Sequence, residues 1–132
     1  MNTTKRRIGL VVGTVSVLAL SACGGADRVE LGKVNYEDFT AQQIYERAEF
    51  DLARNNPELA AEVFAEVERL YPYSDLAKRS VIMQAFSHHE AKNYEDSRAS
   101  AQRFIDFYPT DEDAAYAQYL LALSYYDQID EV

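Results

Sequence analysis

Apolar residues are laid down in two rhythms along this chain. From Ile8 to Leu20 they run on for 13 residues, interrupted only by Gly9, Gly13, Thr14 and Ser16. From Ala41 onward they recur at three- and four-residue intervals: Ile44, Ala48 and Leu52, then Val63, Phe64, Val67 and Leu70. The second rhythm predicts amphipathic helices. "AQQIYERAEFDLAR" and "NNPELAAEVFAEVERLYP" form one expected helix pair, and "SDLAKRSVIMQAFSHHEAK" with "NYEDSRASAQRFIDFYP" forms the next. "YAQYLLALSYYDQ" opens a third. Gly32 is the last glycine, and the remainder is rich in Ala, Glu, Leu and Gln. Phosphate-cradling loops, nucleophile elbows and tight hairpins lean on glycine, so this part reads as helix throughout.

The helical part repeats itself. Pro72 and Pro109 stand 37 residues apart in the phrases "RLYPYSD" and "DFYPTDE". Ala48, Ala85 and Ala122 share that register, as do Asn56, Asn93 and Asp130. Tyr71 matches Tyr108, Ala60 matches Ser97, Val67 matches Phe104, and Leu70 matches Phe107. A period of this length is the signature of a solenoid. Asn56 and Asn93 are expected to cap the second helices, with Pro57 at the first helical position. Ser74 and Thr110 are expected to cap the following first helices, and Pro72 and Pro109 to stop the helices before them.

Ala60-x-x-x-Phe64, followed eight residues later by Pro72, resembles the second half of a tetratricopeptide repeat. Ala48, Ala85 and Ala122 then supply the small residue of each first helix. The match departs at Arg47 and Gln84, where Leu is usual, at Ser97 for Ala, and at Ala101 for Phe. The expected fold is therefore all-α: a tetratricopeptide-like solenoid with two complete helix pairs and the first helix of a third, over residues 41–132.

The first rhythm has another meaning. Lys5, Arg6 and Arg7 precede the apolar run, which at ~1.5 Å per residue falls short of a ~30 Å hydrocarbon core. Such a segment predicts an export signal over residues 1–22. It ends in Leu20-Ser21-Ala22-Cys23, which resembles the lipobox of bacterial lipoproteins; the alternative is a plain signal with an incidental Cys. The resemblance implies lipidation of Cys23, the chain's single cysteine, and cleavage before it. Gly24 in place of Asp points by the same resemblance to the outer membrane. Residues 23–40 are expected to be a flexible tether carrying the last three glycines.

Charge narrows the partners. The chain carries 13 Lys+Arg against 22 Asp+Glu. Loss of the three basic residues of the head leaves 10 against 22, a net charge of about −12. Such a surface excludes nucleic acid and is repelled by anionic headgroups, leaving the lipid as the membrane anchor.

Lipobox, tether and helix phrases together, above all "RLYPYSD", "RFIDFYPT" and the Tyr-rich "YAQYLLALSYYDQ", resemble the BamD family. These are tetratricopeptide lipoproteins of the outer-membrane β-barrel assembly machine. The resemblance implies a scaffold on the periplasmic face of the outer membrane, with a BamA-like barrel subunit as partner and the C-terminal signals of unfolded β-barrel proteins as substrates. Family members have about five repeats. Here Val132 lies two residues past Asp130, the turn residue of the third pair, before its second helix can form, which suggests a truncated chain, or alternatively a short protein that dimerises through its last helix. A general periplasmic tetratricopeptide adaptor of the cell envelope is the other functional reading.

By repeat analogy the first helices line the concave face. The inward positions are Gln42, Tyr45, Glu49 and Leu52, then Arg79, Ile82, Phe86 and His89, then Tyr116, Tyr119, Leu123 and Tyr126. Tyr45, Arg79, Phe86, Tyr116 and Tyr119 are the candidate peptide contacts, aromatic faces beside a cation that could receive a carboxylate. Core packing is the competing reading for each. No enzyme, cofactor or metal is expected. His88 and His89 project ~100° apart on a helix and have no third ligand of their kind.

Overall fold

A computed structural model describes residues 34–129. Among these residues there are five α-helices and no strands: α1 Ala41–Ala53, α2 Pro57–Leu70, α3 Asp75–Glu90, α4 Tyr94–Phe107 and α5 Ala114–Ile129. Cys23 and the export segment lie outside the described residues, as do Asp130 to Val132.

Each helix end has a local cause. Thr40 closes a capping box on α1: the Gln43 amide donates to Thr40 Oγ1 at 3.3 Å, and the Thr40 amide donates to Gln43 Oε1 at 2.9 Å. Ser74 caps α3 by accepting from the Ala77 amide at 3.0 Å. Asn56 and Asn93 occupy the cap positions of α2 and α4, but neither side chain makes a capping bond. Their ψ of 64° and 65° lies outside the extended region from which a cap side chain reaches the N2 or N3 amide. Their backbones are already committed to the preceding helix. The Asn56 amide donates to Asp51 O and the Asn93 amide to His88 O, while Asn55 and Lys92 adopt φ of 61° and 62°. This is a Schellman stop built without glycine, twice in register. Thr110 does not cap α5 either. In the turn ahead of α5, the Asp111 side chain accepts from the Asp113 amide at 3.1 Å.

The helices pack as a right-left alternation of antiparallel neighbours. Each packs on the next, α1 also packs on α3, and α3 on α5, whereas the backbones of α2 and α4 do not pack together. First helices therefore share one face and second helices the other, the arrangement of a tetratricopeptide-like solenoid. Two cross-links fix α3 and α5 as parallel. Lys78 Nζ meets Asp111 Oδ2 at 2.6 Å at their N-terminal ends, and His89 Nε2 meets Asp127 Oδ2 at 2.9 Å at their C-terminal ends.

The core is two linked clusters. Ile44, Tyr45, Ala48, Ala60, Val63, Phe64 and Val67 form the first. Val81, Ile82, Ala85, Ala101, Phe104, Ala114, Ala117 and Leu120 form the second. Ala48, Ala60 and Ala85 are fully buried, which is what lets paired helices approach. Full burial of Phe64 and of Phe104 contributes about 1.5–3 kcal/mol each.

The two ends of the stack differ. At the N-terminal end, residues 34–40 lie against α1: Tyr36 packs on the first cluster, and the Tyr71 hydroxyl donates to Phe39 O. The α1 face that α3 and α5 give to a preceding helix, through buried Ser80, Ser87, Ala117 and Ser124, carries Gln43, Arg47 and Phe50 instead. At the other end α5 presents Tyr119, Ala122, Tyr125 and Ile129 to solvent.

Candidate functional site

Three parallel first helices share one face, the one expected to be concave, so one register position on each contributes to a row across it. Gln42, Arg79 and Tyr116 make one exposed row. Glu49, Phe86 and Leu123 make the next, exposed at Glu49 and half-buried at the other two. Glu90, one turn beyond Phe86, is exposed.

The predicted contacts separate into two classes. Arg79, Tyr116 and Tyr119 are open to solvent, with Tyr116 41% and Tyr119 56% exposed, and Phe86 is partly so. The Tyr116 and Tyr119 rings stack at 6.2 Å with 23° between planes. Tyr45 is only 4% exposed. Its ring meets Phe64 edge-on at 5.1 Å, and the Arg79 guanidinium lies 5.7 Å from its centroid. Tyr45 thus holds Arg79 in place through a cation–π contact while its ring packs on Phe64 in the core.

Electrostatics follow from this packing. Burial raises the Tyr45 hydroxyl pKa above its ordinary 10.0; Arg79 opposes the shift, while Glu49 and Asp113 add to it. Burial also raises Tyr116, helped by Tyr119 and Glu90. The carboxylates of Glu49 and Glu90 therefore act on the same face as Arg79. Both tyrosines remain neutral hydrogen-bond donors at physiological pH.

His89 faces Asp127 across the α3–α5 seam and packs on Tyr94 with ring centroids 5.6 Å apart. His88 points elsewhere, with Nδ1 buried and unpartnered. Among the described residues no cluster of three or more His, Cys, Asp or Glu could hold a metal. No helix among them is long and apolar enough to cross a membrane.

A second polar set, on the opposite side, was not predicted. Gln84 Nε2 donates to Glu68 Oε2 at 3.0 Å, and Arg103 donates to both Glu68 Oε2 and Gln84 Oε1, at 3.1 and 3.2 Å. Gln84 is the departure from the usual Leu, and this network explains it. It joins α2, α3 and α4 with one polar clip.

A family model described as "YfiO: Outer membrane lipoprotein" matches residues 37–132, which includes every helix described above. The chain belongs to this family. The resemblance to BamD lipoproteins read from the helix phrases is thereby borne out. Three relatives carry the description "Outer membrane protein assembly factor BamD". The protein of Caulobacter vibrioides is 34% identical over 116 residues, 88% of this chain and 38% of that protein. The Rickettsia prowazekii protein is 38% identical over 73 residues, covering 55% and 29%. A Neisseria meningitidis protein is 27% identical over 116 residues, covering 87% and 43%. The matched stretch thus spans less than half the length of each of these relatives.

Proposed function

We propose that this chain serves as a lipid-anchored scaffold in the assembly of outer-membrane β-barrel proteins. In this reading Cys23 carries the lipid and holds the helices at the periplasmic face of the outer membrane. A BamA-like barrel subunit is the standing partner, and the concave face receives the C-terminal signals of unfolded barrel substrates. The relatives' description as assembly factors supports the setting. The observation that carries the binding role is the row of Arg79 and Tyr116 on consecutive parallel helices, with Phe86 beside them and Tyr45 fixing Arg79.

The chemistry suits an extended apolar segment with a free carboxylate. Aromatic faces accept apolar side chains, and a guanidinium makes charge-assisted hydrogen bonds to a carboxylate worth roughly 1.5–3 kcal/mol. The test is a titration of the full chain in detergent with a peptide ending in an aromatic residue, beside the same peptide amidated. Arg79→Glu is expected to weaken the free-acid peptide about tenfold, the equivalent of about 1.4 kcal/mol. Equal affinity for both peptides and no effect of Arg79→Glu overturn the groove reading. Separately, a Cys23→Ser chain that stays membrane-bound and acquires lipid label overturns the anchor.

A further inference from the structure

The face shared by the first helices has two chemically unlike ends. The first helices are parallel, so all their N-termini lie at one edge and all their C-termini at the other. Arg79 sits in the second turn of α3, over Tyr45. At the far end of the same helix stands Glu90, its last helical residue, with a side chain 51% exposed and Oε1 3.8 Å from His89 Nδ1. Asp127 of α5 flanks that histidine from the other side at 2.9 Å. Phe86 lies one turn before Glu90, and Glu49 of α1 holds the register position of Phe86. The terminal carbonyls of α1 and α3 add negative partial charge at this edge.

We infer that the Glu90 end of the groove is a subsite for a lysine or arginine side chain of the bound segment, its stem along Phe86 and its charge on Glu90. This deepens the proposed peptide-binding role and rests on it. The occupant is fixed by charge complementarity. Glu49 and Glu90 stand open with an aromatic beside them, a setting that attracts a cation and repels a carboxylate. Burial raises the Tyr116 pKa, and Tyr119 and then the Glu90 carboxylate add to it.

The spacing sets the reading frame of the ligand. Arg79 and Glu90 are eleven positions apart on α3, about 16 Å at ~1.5 Å per residue. An extended segment covers that distance in about five residues. A segment with its C-terminal carboxylate on Arg79 therefore brings a residue about five positions upstream to Glu90. The groove selects chain direction as well as composition, because the reversed orientation sets carboxylate against carboxylate.

Three peptides of one apolar-aromatic sequence test this on the full chain in detergent. They carry Lys, Gln or Glu five residues before a free C-terminus. The expected order of affinity is Lys, then Gln, then Glu, with Lys about fivefold or more over Gln at low salt and the gap closing as salt rises. Glu90→Gln, a change at an exposed position, is expected to erase the Lys preference while leaving the effect of C-terminal amidation intact. Glu90→Lys is expected to reverse the order. Peptides that bind with sensitivity to amidation and Arg79→Glu, but equally well with Lys, Gln and Glu, overturn this inference and leave the proposed function standing. No binding of any of the three overturns both.

Discussion

Ser124 Oγ donates to Ser97 Oγ at 2.8 Å across the α4–α5 contact, with both residues fully buried. The Ser97 hydroxyl in turn donates to Ala85 O, also at 2.8 Å. Two hydroxyls thus form a chain from α5 through α4 to a carbonyl of α3. Ser97 stands where a tetratricopeptide repeat ordinarily has Ala, and the hydroxyl gives α5 a directional attachment that a methyl could not. Ser97→Ala removes the acceptor of Ser124 and is expected to destabilise the fold by about 1–3 kcal/mol, the price of a buried hydroxyl without a partner. The double variant Ser97→Ala/Ser124→Ala deletes both groups and is expected to recover most of the loss. Urea denaturation of the single and double variants reads this directly. A double variant as unstable as the sum of its singles would show that the chain of hydroxyls is not the unit.

His88 supplies a pH dependence. Burial pushes its imidazole below the ordinary 6.5; the nearby Arg103 pushes the same way and Asp96 partly opposes. Its Nδ1 has no partner to welcome a proton. The unfolded chain therefore binds a proton at His88 more readily than the folded one. Stability is expected to be flat above about pH 7, to fall as pH drops below 6.5, and to level once pH passes the lowered folded value. The Asp111 carboxyl, held below its ordinary 3.8 by the Lys78 hydrogen bond, responds only in a more acid window, where its stabilising contribution is lost as pH falls. Urea midpoints at pH 7.5 and 5.5 are expected to differ in the wild-type chain. The difference is expected to shrink in His88→Gln; an unchanged difference would place the titration elsewhere.

Helix order, the period and the Ser74 cap were legible because they depend on local chemistry. Proline, serine and small residues act within one turn of where they stand. What a one-dimensional period does not carry is which neighbour takes up a given side chain. Tyr45, Ile82 and Tyr119 share a register position, yet the first two are buried and the third is open. The same limit hid the compensation at Ala101. The first pair fills its core with Phe64 and Val67, and the second with Ala101 and Phe104, all fully buried. The aromatic volume has moved one turn along the helix, so the departure at Ala101 is half of a swap. Asn56 and Asn93 look like caps by residue type, but the Schellman stop before each had already set their backbone. In the groove, Arg79 and Tyr116 were readable from register alone. The role of Tyr45 as a support needed the packing of its ring on Phe64.

Local stability is expected to fall off along α5. Its inner side is held by Ala117, Leu120 and Ser124, all fully buried, while Tyr125, Tyr126 and Ile129 are exposed. Much of what fixes its second half comes from one side chain. Arg98 of α4 donates to Ser124 O at 3.3 Å and to Gln128 Oε1 at 2.7 Å, and its guanidinium covers the Tyr125 ring at 4.6 Å. The other tie is His89 to Asp127. A helix with one uncovered side opens locally at lower free energy than one enclosed on both, and amide exchange reports that difference. Amides of Leu123 to Ile129 are therefore expected to exchange faster than those of Val81 to Phe86, which lie between α2 and α4. Arg98→Ala is expected to speed exchange further from Ser124 onward while leaving α1 to α3 unchanged, because the cation–π and hydrogen bonds it removes all end on α5. Equal protection of α5 and α3 in a monomeric sample would mean that the outer side of α5 is covered in solution, and uniform acceleration across all five helices in Arg98→Ala would mean that the pairs open together rather than one at a time.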